Sequence, residues 1–484
     1  MDEPTLYELS VEGRQAVSLP DCDVEEAALP ANLIRTDNGL PELSEQQVVR
    51  HFMSLSQRNF GVDTGFYPLG SCTMKHNPKI GEQIARLPGF SGIHPLQDEA
   101  TVQGALALMY ELQEQLNEIG GFESVSLQPS AGAQGELTAL LMMRAYHAAN
   151  GEAGRNVVLI PDSAHGTNPA SATMAGCIAI EVPSTARGEV DLDAIRAACN
   201  DRLVGIMLTN PNTLGLFEKQ IEELVALIHG CGGLVYGDGA NMNALTGIAR
   251  PGDLGIDLMH FNLHKTFATP HGGGGPGAGP LGASAALAPY LPSPIVEKSA
   301  AMDGGEATYT LSAPSNSIGR MCAFHGNFGM FVRAYAYLSS LGAAGLRANA
   351  MHAVLNANYV RVRLRDDYPV PFDRICMHEF VCQGRPKGSA IHAMDVSKRL
   401  MDFGFHPPTT YFPLIVSEAL MIEPTETEDK STLDAFVEAM CQIAREARNR
   451  PETLHDAPHA TPVRRVDVVK AARDLIVCEP IAGG

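Results

Sequence analysis

Two residues that could together serve an aldehyde cofactor follow separate apolar segments of the chain. Lys265 lies in Leu-His-Lys-Thr-Phe (263–267), after the mostly apolar run 256–263, and Asp238 ends the apolar run 234–238. Pyridoxal phosphate requires this combination at neighbouring strand ends, because the amine forms a Schiff base with the aldehyde and the carboxylate keeps the pyridinium nitrogen protonated. A lone lysine at a strand end is more often a surface residue, so the prediction depends on further motifs.

A segment of small residues could bind the phosphate of such a cofactor. Ser-Ala-Gly-Ala-Gln-Gly-Glu (130–136) precedes the helical pattern 137–148. Small residues allow the backbone to approach an anion closely, and the free amides at a helix N-terminus favour a phosphate. From this segment alone, an ordinary helix start is an equally good interpretation.

Two further segments close predicted strands and contain polar candidates. His165, in 162–171, could lie flat over an aromatic cofactor ring, although this pattern by itself favours a capping histidine in a tight turn. Asn212, in 209–215, could donate a hydrogen bond to a phenolate oxygen, or it forms the Asx turn that is common in Asn-Pro-Asn. The local sequence does not decide between the ligand role and the turn role for either residue.

The elements that must position these side chains alternate between short apolar strands and helices. Strands that are apolar on both faces and joined by helices indicate a mostly parallel sheet in an α/β fold. Ligands of such sheets bind beyond the carboxyl ends of the strands, where the candidate motifs fall. The predicted strands begin at Val157, Cys177, Leu203, Leu234 and Leu258, and one intervening amphipathic helix spans 218–229.

The chain is too long for a single core and changes pattern along its length. A helix over 44–57, with a capping box at Ser44, is the clear regular element near the N-terminus. A long helical pattern over 328–364 precedes two strands that begin at Phe380 and Ala419. The predicted divisions are an N-terminal arm (1–94), a large α/β domain that binds the cofactor (95–324), a smaller α+β domain (325–450) and a C-terminal tail with little periodicity (451–484).

Composition excludes several classes of protein. The chain has 484 residues and a formal net charge of −20, which argues against a nucleic-acid surface. We expect neither a secretory signal nor a membrane span, because no apolar stretch is long enough. The ten cysteines include no Cys-x-x-Cys pair, so we expect free thiols, a cytoplasmic location and no structural zinc. Met-His-Glu-Phe (377–380) lacks the second histidine of a zincin helix, and we expect no metal.

Nine motifs in one order resemble a single family, glycine dehydrogenase (decarboxylating) of the glycine cleavage system, and specifically its subunit 2. The resemblance runs nearly end to end, and the motifs are long enough to be specific. The family has the aspartate-aminotransferase-like fold, fold type I of the enzymes that depend on pyridoxal phosphate. The motifs that carry the resemblance begin at Tyr67, Ser130, Ala164, Thr209, Tyr236, Leu263, Ser317, Met377 and Met421.

The resemblance implies roles for individual residues. It makes Lys265 the residue that binds the cofactor covalently, Asp238 the partner of the ring nitrogen and His165 the side chain stacked on the ring, so these three are the expected catalytic residues. The further cofactor-binding residues that it implies are Gly132, Ala133, Gln134 and His264 at the phosphate, and Asn212 and Asn241 near the ring hydroxyl.

The resemblance also implies the reaction and the partners. The expected activity is decarboxylation of glycine with pyridoxal 5'-phosphate, followed by transfer of the aminomethyl group to the lipoyl arm of a carrier protein, the H protein. The expected assembly contains a homologous subunit 1 that lacks the lysine, with two copies of each subunit.

Two alternatives have to be weighed against this function. Another enzyme of the same fold, such as a cysteine desulfurase or a serine hydroxymethyltransferase, is disfavoured by the long motif 67–74 and the Pro-Thr-Glu segment near residue 424. An inert half that only binds a partner is disfavoured because Lys265, Asp238 and His165 are all present.

Overall fold

The computed structural model describes residues 3–35, 39–272, 275–299 and 307–476, with the side chain of Asn241 also left out of the description. The chain divides into two compact units, Met1–Thr64 and Gly65–Gly484. The predicted divisions at residues 94, 324 and 450 therefore stay predictions. No described helix combines the length and the apolar character needed to cross a membrane.

The first unit contains the predicted N-terminal helix, α1 (Glu45–Gln57). The hydroxyl of Ser44 accepts a hydrogen bond from the backbone N–H of Gln47, and the Gln47 side chain accepts one from the Ser44 backbone. This capping box occupies two amides that the helix itself leaves unpaired, and it confirms the predicted start.

The second unit contains the remaining helices and all the strands of the described chain. The helices are α2 (Lys79–Ala85), α3 (Pro88–Ser91), α4 (Gln103–Gly120), α5 (Gly132–Ala149), α6 (Asn168–Met174), α7 (Leu192–Ala198), α8 (Ile221–Gly230), α9 (Phe328–Leu364), α10 (Ala393–Met401), α11 (Lys430–Asn449), α12 (Glu452–His455) and α13 (Val468–Arg473). The strands are β1 (Ser124–Ser126), β2 (Val157–Pro161), β3 (Ile178–Val182), β4 (Leu203–Thr209), β5 (Leu234–Asp238), β6 (Leu258–His260), β7 (Leu281–Ala283), β8 (Ile295–Ser299), β9 (Thr308–Ser312), β10 (Phe380–Gln383), β11 (Thr409–Thr410) and β12 (Ala419–Ile422).

A seven-stranded sheet forms the framework of the second unit, in the order β1-β7-β6-β5-β4-β2-β3. The five predicted strands, β2 to β6, are parallel, whereas β7 runs antiparallel to its neighbours β6 and β1. Alternate residues of β2 enter different hydrophobic clusters, Val157 and Leu159 on one face, Val158 and Ile160 on the other. Burial on both faces explains why these strands are continuously apolar, and it confirms the predicted mostly parallel sheet.

A smaller antiparallel sheet, in the order β10-β12-β11, follows the long helix α9. The helix has the predicted bounds, but its backbone leaves the helical region at Gly342, where φ is 60°. The strands pack with α9, α10 and α11 in a second hydrophobic cluster that includes Phe380, Leu420 and Phe436. The α+β pattern predicted for this region is therefore confirmed.

Three details differ from the sequence predictions. Cys199 and Cys231 form a disulfide, so the expectation of free thiols is wrong for this pair. Helix α8 begins three residues later than predicted because the Glu218 carboxylate precedes it and accepts hydrogen bonds from the amides of Gln220 and Val190. Two short helices, α12 and α13, interrupt the tail, in which little periodicity was expected.

Candidate active site

A cavity of about 550 Å³ lies at the carboxyl ends of the parallel strands, where the candidate motifs were expected to meet. One wall comes from the residues that follow these strands and from the N-terminus of α5, and the opposite wall comes from the segment 69–72 together with Thr409 and Phe412. The volume lies in the range of small-molecule sites, which is about 300–1,000 Å³. Lys265, Asp238 and His165 all line it.

Lys265 is a buried residue rather than a surface lysine. It follows β6 in a turn in which its backbone N–H donates to the carbonyl of Asn262 (3.1 Å), and it is only 6% exposed. Its ammonium forms no hydrogen bond or ion pair with any other residue that the structure describes. A buried amine that lines a cavity and has no partner is available to a ligand. Lys265 is therefore not the surface lysine at a strand end that its local sequence also allowed.

Asp238 is the last residue of β5, the strand beside β6, and its carboxylate is buried. It accepts hydrogen bonds from the side chain of Asn168 (3.1 Å) and from the backbone N–H of Ala240 (3.0 Å). Burial by itself raises the pKa of Asp238, but His260 and His165, together with these hydrogen bonds, outweigh burial and hold the pKa below its usual value. The carboxylate is therefore ionised at neutral pH and can stabilise a cationic ring nitrogen.

His165 is held in the cavity by a chain of hydroxyl and carboxylate groups. Its Nδ1 lies 2.8 Å from Oγ1 of Thr167, and the Thr167 hydroxyl donates in turn to the carboxylate of Glu136. Because that hydroxyl proton is already used, Thr167 accepts from His165, which places the ring proton on Nδ1. The imidazole orientation is thus set by Glu136, whose other oxygen accepts from Ser171 (2.7 Å).

The phosphate end of the cavity is formed by α5 and His264. The backbone amides of Gly132, Ala133 and Gln134 form the first turn of α5, where no side chain caps the helix. The Gln134 side chain is turned away, because it donates to the carbonyl of Met321 (2.9 Å) and accepts from Ser130. Gln134 does not line the cavity, unlike Gly132 and Ala133, so only its backbone amide remains for the predicted contact with an anion at the helix N-terminus.

His264 lines the same end and is neutral. Burial, and then the charge of Lys265, lower the pKa of His264 to about 3. Its Nδ1 accepts a long hydrogen bond (3.4 Å) from the backbone N–H of Ala278, so the proton of the neutral ring lies on Nε2. A neutral imidazole with a free N–H can donate to a phosphate oxygen.

Of the two asparagines predicted near a ring hydroxyl, Asn212 is not brought to the cavity. The Asn212 side chain donates to the carbonyl of Gly188 (2.9 Å) and accepts from the amides of Leu214 and Leu216, as an Asx turn does. Its expected position near a ring hydroxyl is therefore not supported by the geometry. The side chain of Asn241 lies outside the described residues, and its role stays a prediction.

Several residues of the site were missed in the sequence. Glu136 lies in the predicted phosphate-binding segment 130–136, and Asn168 lies in the segment 162–171 that was chosen for His165. Their contacts with His165 and Asp238 could have drawn attention to them. His260 ends the strand β6, and Asn262 lies between that strand and Lys265. Each has a buried atom, Nε2 and Oδ1 respectively, without a hydrogen-bond partner among the described residues.

These atoms provide a test of whether the cavity fits a phosphorylated pyridine aldehyde. It offers an unpartnered amine, an ionised buried carboxylate, a fixed imidazole and three helix N-terminal amides, and each matches one part of that cofactor. A Cβ atom on Gly132 would lie 2.5 Å from Oδ1 of Asn262, so the glycine is required for the close approach of helix and strand. The residues present therefore fit pyridoxal phosphate.

A metal ion is a weaker explanation of the same groups. Glu136, His165 and Asp238 each offer a ligand atom, and these atoms lie within 4.8 Å of one another. However, both oxygens of Glu136 and both oxygens of Asp238 already accept hydrogen bonds from described residues.

Comparison with known proteins agrees with the geometry. A family model described as the C-terminal domain of glycine dehydrogenase matches residues 349–462. A curated relative from Bacillus velezensis, described as probable glycine dehydrogenase (decarboxylating) subunit 2, is 55% identical over 482 residues, which cover 98% of this chain and 97% of the relative.

Solved structures share the fold at lower identity. A chain of glycine decarboxylase (P-protein) of the glycine cleavage system, in inhibitor-bound form, matches with a TM-score of 0.72 at 21% identity, covering 86% of this chain and 93% of that chain. A sphingosine-1-phosphate lyase from Burkholderia pseudomallei matches with a TM-score of 0.59 at 17% identity, covering 88% and 96%. These likenesses confirm the predicted fold class, fold type I of the enzymes that depend on pyridoxal phosphate.

Proposed function

The chain belongs to the family of glycine dehydrogenase (decarboxylating) subunit 2, and we propose that it is the enzyme that decarboxylates glycine in the glycine cleavage system. The cofactor is pyridoxal 5'-phosphate, and the aminomethyl group that remains after carbon dioxide leaves passes to the lipoyl arm of a carrier protein. The observation that carries the proposal is the meeting of Lys265, Asp238 and the N-terminus of α5 in one cavity.

Each end of the cavity has a distinct task in this reaction. When bound, pyridoxal phosphate supplies an electron sink for the electron pair that carbon dioxide leaves behind. Lys265 would be the attachment residue, and the ionised carboxylate of Asp238 would hold a proton on the ring nitrogen. His165 supports the ring in the orientation that Thr167 and Glu136 impose on the imidazole.

The phosphate is bound by groups that require no formal charge from a side chain. The first amides of α5 would donate to the phosphate oxygens at the helix N-terminus, where the helix dipole favours an anion. Neutral His264 adds one N–H donor at Nε2.

Apolar side chains form part of the cavity lining. Leu69, Phe412 and Pro276 line the cavity, and no arginine does so among the described residues. Apolar surroundings disfavour a charged carboxylate relative to neutral carbon dioxide. A glycine carboxylate bound against these apolar side chains would therefore be favoured to leave as carbon dioxide.

The cofactor assignment is tested by a visible spectrum and by peptide mapping. The chain, reconstituted with pyridoxal 5'-phosphate, is expected to absorb in the visible range, to lose this absorbance on borohydride reduction and to carry the reduced cofactor on Lys265. Lys75 is the matched control, because it is also buried but is paired with Glu426 at 2.7 Å. Labelling of Lys75 in place of Lys265, or a colourless protein, would reject the assignment.

We also infer that the chain works in a complex. The relatives are described as subunit 2, which is consistent with a separate, homologous subunit 1 that lacks the lysine, with two copies of each chain because closed two-fold assemblies dominate. A lipoyl carrier (H) protein would then dock transiently. The cytoplasmic location stays a prediction.

Light scattering after size-exclusion chromatography tests the assembly. The chain alone is expected to be poorly active and prone to self-association, and mixing it with subunit 1 should give one species with two copies of each chain and glycine-dependent exchange of carbon dioxide. A well-behaved monomer with full exchange activity, in the absence of any partner, would contradict the inference.

A further inference from the structure

Two glutamates lie side by side behind one wall of the cavity. Glu379 immediately precedes β10 and Glu423 immediately follows β12, and these strands pair antiparallel with Phe380 opposite Ile422. The register places both carboxyl groups at the same end of the smaller sheet. Both residues are completely buried, which is unusual for two acidic residues with no described cation paired to either.

The wall in front of them is the backbone segment from Leu69 to Thr73. The backbone N–H of Ser71 donates to Oε2 of Glu379 (2.6 Å). The backbone N–H of Thr73 donates to Oε2 of Glu423 (3.0 Å), and its hydroxyl donates to Oε1 (2.6 Å). Each carboxyl group therefore binds the segment from behind, on the side away from the cavity.

The segment requires such support because its backbone is strained. Ser71 and Thr73 have φ angles of 63° and 47°, in the left-handed region that residues other than glycine rarely adopt, and a β-branched threonine least of all. Between them lies Cys72, and Leu69, Gly70, Ser71 and Cys72 all line the cavity. A Cβ atom on Gly70 would lie 2.3 Å from the side chain of Met421 in β12, so the wall also lies tightly against the sheet.

Lys75, two residues beyond the end of this segment, binds the residue that follows Lys265. Lys75, which is fully buried, donates from Nζ to the carbonyl of Thr266 (2.6 Å) and pairs with Glu426 (2.7 Å). A displacement of the segment would therefore be transmitted to the turn that carries Lys265.

Two adjacent buried carboxyl groups cannot both be ionised without a large cost. Burial, and then the charge of Glu423, raise the pKa of Glu379 well above its usual value, whereas burial raises the pKa of Glu423 to about 7. The other titratable groups that face the pair are Lys265, Glu426, Cys72 and His378, whose pKa burial lowers to about 3. Burial and the charge of Glu423 thus favour the protonated form of Glu379, whose Oε1 has no described hydrogen-bond partner.

We propose that Glu379 and Glu423 are positioning residues, a buried carboxyl pair that holds Ser71 and Thr73 in left-handed conformations and thereby places the Gly70–Cys72 wall against Lys265. The catalytic consequence rests on the proposed function, but the structural role of the pair does not. The pair does not touch the cofactor or the substrate itself.

The thiol of Cys72 reports directly on the position of this wall. In the chain without cofactor, the rate of Cys72 alkylation by iodoacetamide can be followed by peptide mapping, with the half-buried Cys322 as an internal standard. Glu379→Ala removes the acceptor of the Ser71 amide, and we expect alkylation of Cys72 to accelerate at least about tenfold while Cys322 changes less than about twofold. Glu379→Gln keeps an acceptor and mimics the neutral acid, so it should restore the slow rate.

A matched control separates this effect from general loss of stability. Glu446 is a buried glutamate in α11 that pairs with Arg399 (2.9 Å), away from the segment. Glu446→Ala is expected to destabilise the chain without accelerating Cys72 alkylation. In the reconstituted complex, Glu379→Ala should lower kcat/KM for glycine-dependent exchange about tenfold, and Glu379→Gln should return it to within about threefold of wild type.

Three results would overturn the proposal. The first is unchanged Cys72 alkylation in Glu379→Ala, and the second is equal damage by Ala and Gln at this position. The third is a stoichiometric metal ion in the wild-type chain that is lost in Glu379→Gln, because His378, Glu379 and Glu423 offer ligand atoms within 4.8 Å of one another. Absence of exchange in the wild-type complex would count against the proposed function alone, since the alkylation assay does not depend on it.

Discussion

The two walls of the cavity come from different sheets and reach it in different ways. On one side, Asp238 ends β5 and Lys265 follows β6, so strand order alone brings them together at the carboxyl edge of a parallel sheet. On the other side, Ser71 meets Glu379 across 308 residues and Thr73 meets Glu423 across 350 residues. Chemistry is concentrated on the first wall, whereas the second wall depends on buried pairs that support a strained backbone.

This difference teaches which substitutions should act through chemistry and which through geometry. On the parallel-sheet wall, a side chain that binds the cofactor has no local substitute, so its loss should remove activity while the fold persists. On the antiparallel-sheet wall, an uncharged side chain of the same shape can satisfy the same amide, so conservative variants should be tolerated.

The largest effect is expected for Lys265→Ala, on the parallel-sheet wall. This variant should fold, because the side chain forms no ion pair with a described residue, yet it should lose both the visible absorbance of the reconstituted chain and glycine-dependent exchange. The absorbance is measured by spectroscopy, and the exchange is measured by incorporation of labelled carbon dioxide. Lys430→Ala, which removes an exposed ion pair with Asp434, is the control; full activity of Lys265→Ala would remove the residue from the mechanism.

The next effect is expected for Asp238→Asn, which removes the charge beside the ring nitrogen at nearly constant volume. We expect turnover to fall at least about a hundredfold, equivalent to about 2.7 kcal/mol in the barrier. Asp257→Asn is a suitable comparison, because Asp257 precedes β6 at the opposite edge of the same sheet and binds His229 and the Val235 amide. Turnover of Asp238→Asn within threefold of wild type would show that the pairing is unimportant.

A smaller effect is expected for Gly132→Ala at the phosphate end. The new Cβ would lie 2.5 Å from Asn262 Oδ1 and 3.0 Å from His260 Nε2, so the first turn of α5 must shift away from the strand end. Because phosphate binding depends on those amides, we expect the affinity for pyridoxal phosphate, measured by titration of the absorbance, to fall about tenfold. Gly104→Ala, near the start of α4 with no atom within 4 Å of the new Cβ, should leave it unchanged.

The smallest effect is a dependence of stability on pH that arises behind the antiparallel-sheet wall. Burial raises the pKa of Glu423 from 4.5 to about 7, so the folded chain keeps a proton that the unfolded chain loses between these values. The stabilisation from this group is complete below pH 4.5 and is lost as the pH rises through about 7.

Glu423→Gln cannot lose that proton. Urea unfolding of the cofactor-free chain should therefore show that the free energy of unfolding of the variant, minus that of wild type, increases as the pH is raised from about 5 to 8. Glu428, whose pKa burial also raises to about 7, is present in both chains and cancels in the difference. If the difference in free energy of unfolding between variant and wild type does not change with pH, the pKa of Glu423 is not raised by folding.

The residue pattern was sufficient to predict much of the parallel-sheet wall. Apolar runs buried on both faces predicted the strands, and the edge to which parallel strands point predicted where Lys265, Asp238 and His165 would meet. The pattern failed for Asn212, which closes its own turn, because an asparagine that satisfies neighbouring amides and one that faces a ligand have the same local sequence. It also missed Glu136, whose task becomes visible only when Thr167 lies between it and His165.

By itself, the sequence determined the parallel strands β2 to β6, the long helix α9 and the family, and it singled out Lys265 and Asp238, because those depend on local patterns of apolar and small residues that recur in a set order. Only the tertiary structure decided how the second wall is built. The register of β10 with β12 puts two glutamates beside each other, and their burial favours the protonated form of Glu379. Contacts such as Ser71–Glu379 and Thr73–Glu423 join residues hundreds of positions apart and produce no periodic pattern in the sequence. Each glutamate on its own resembles an ordinary acidic residue beside a strand.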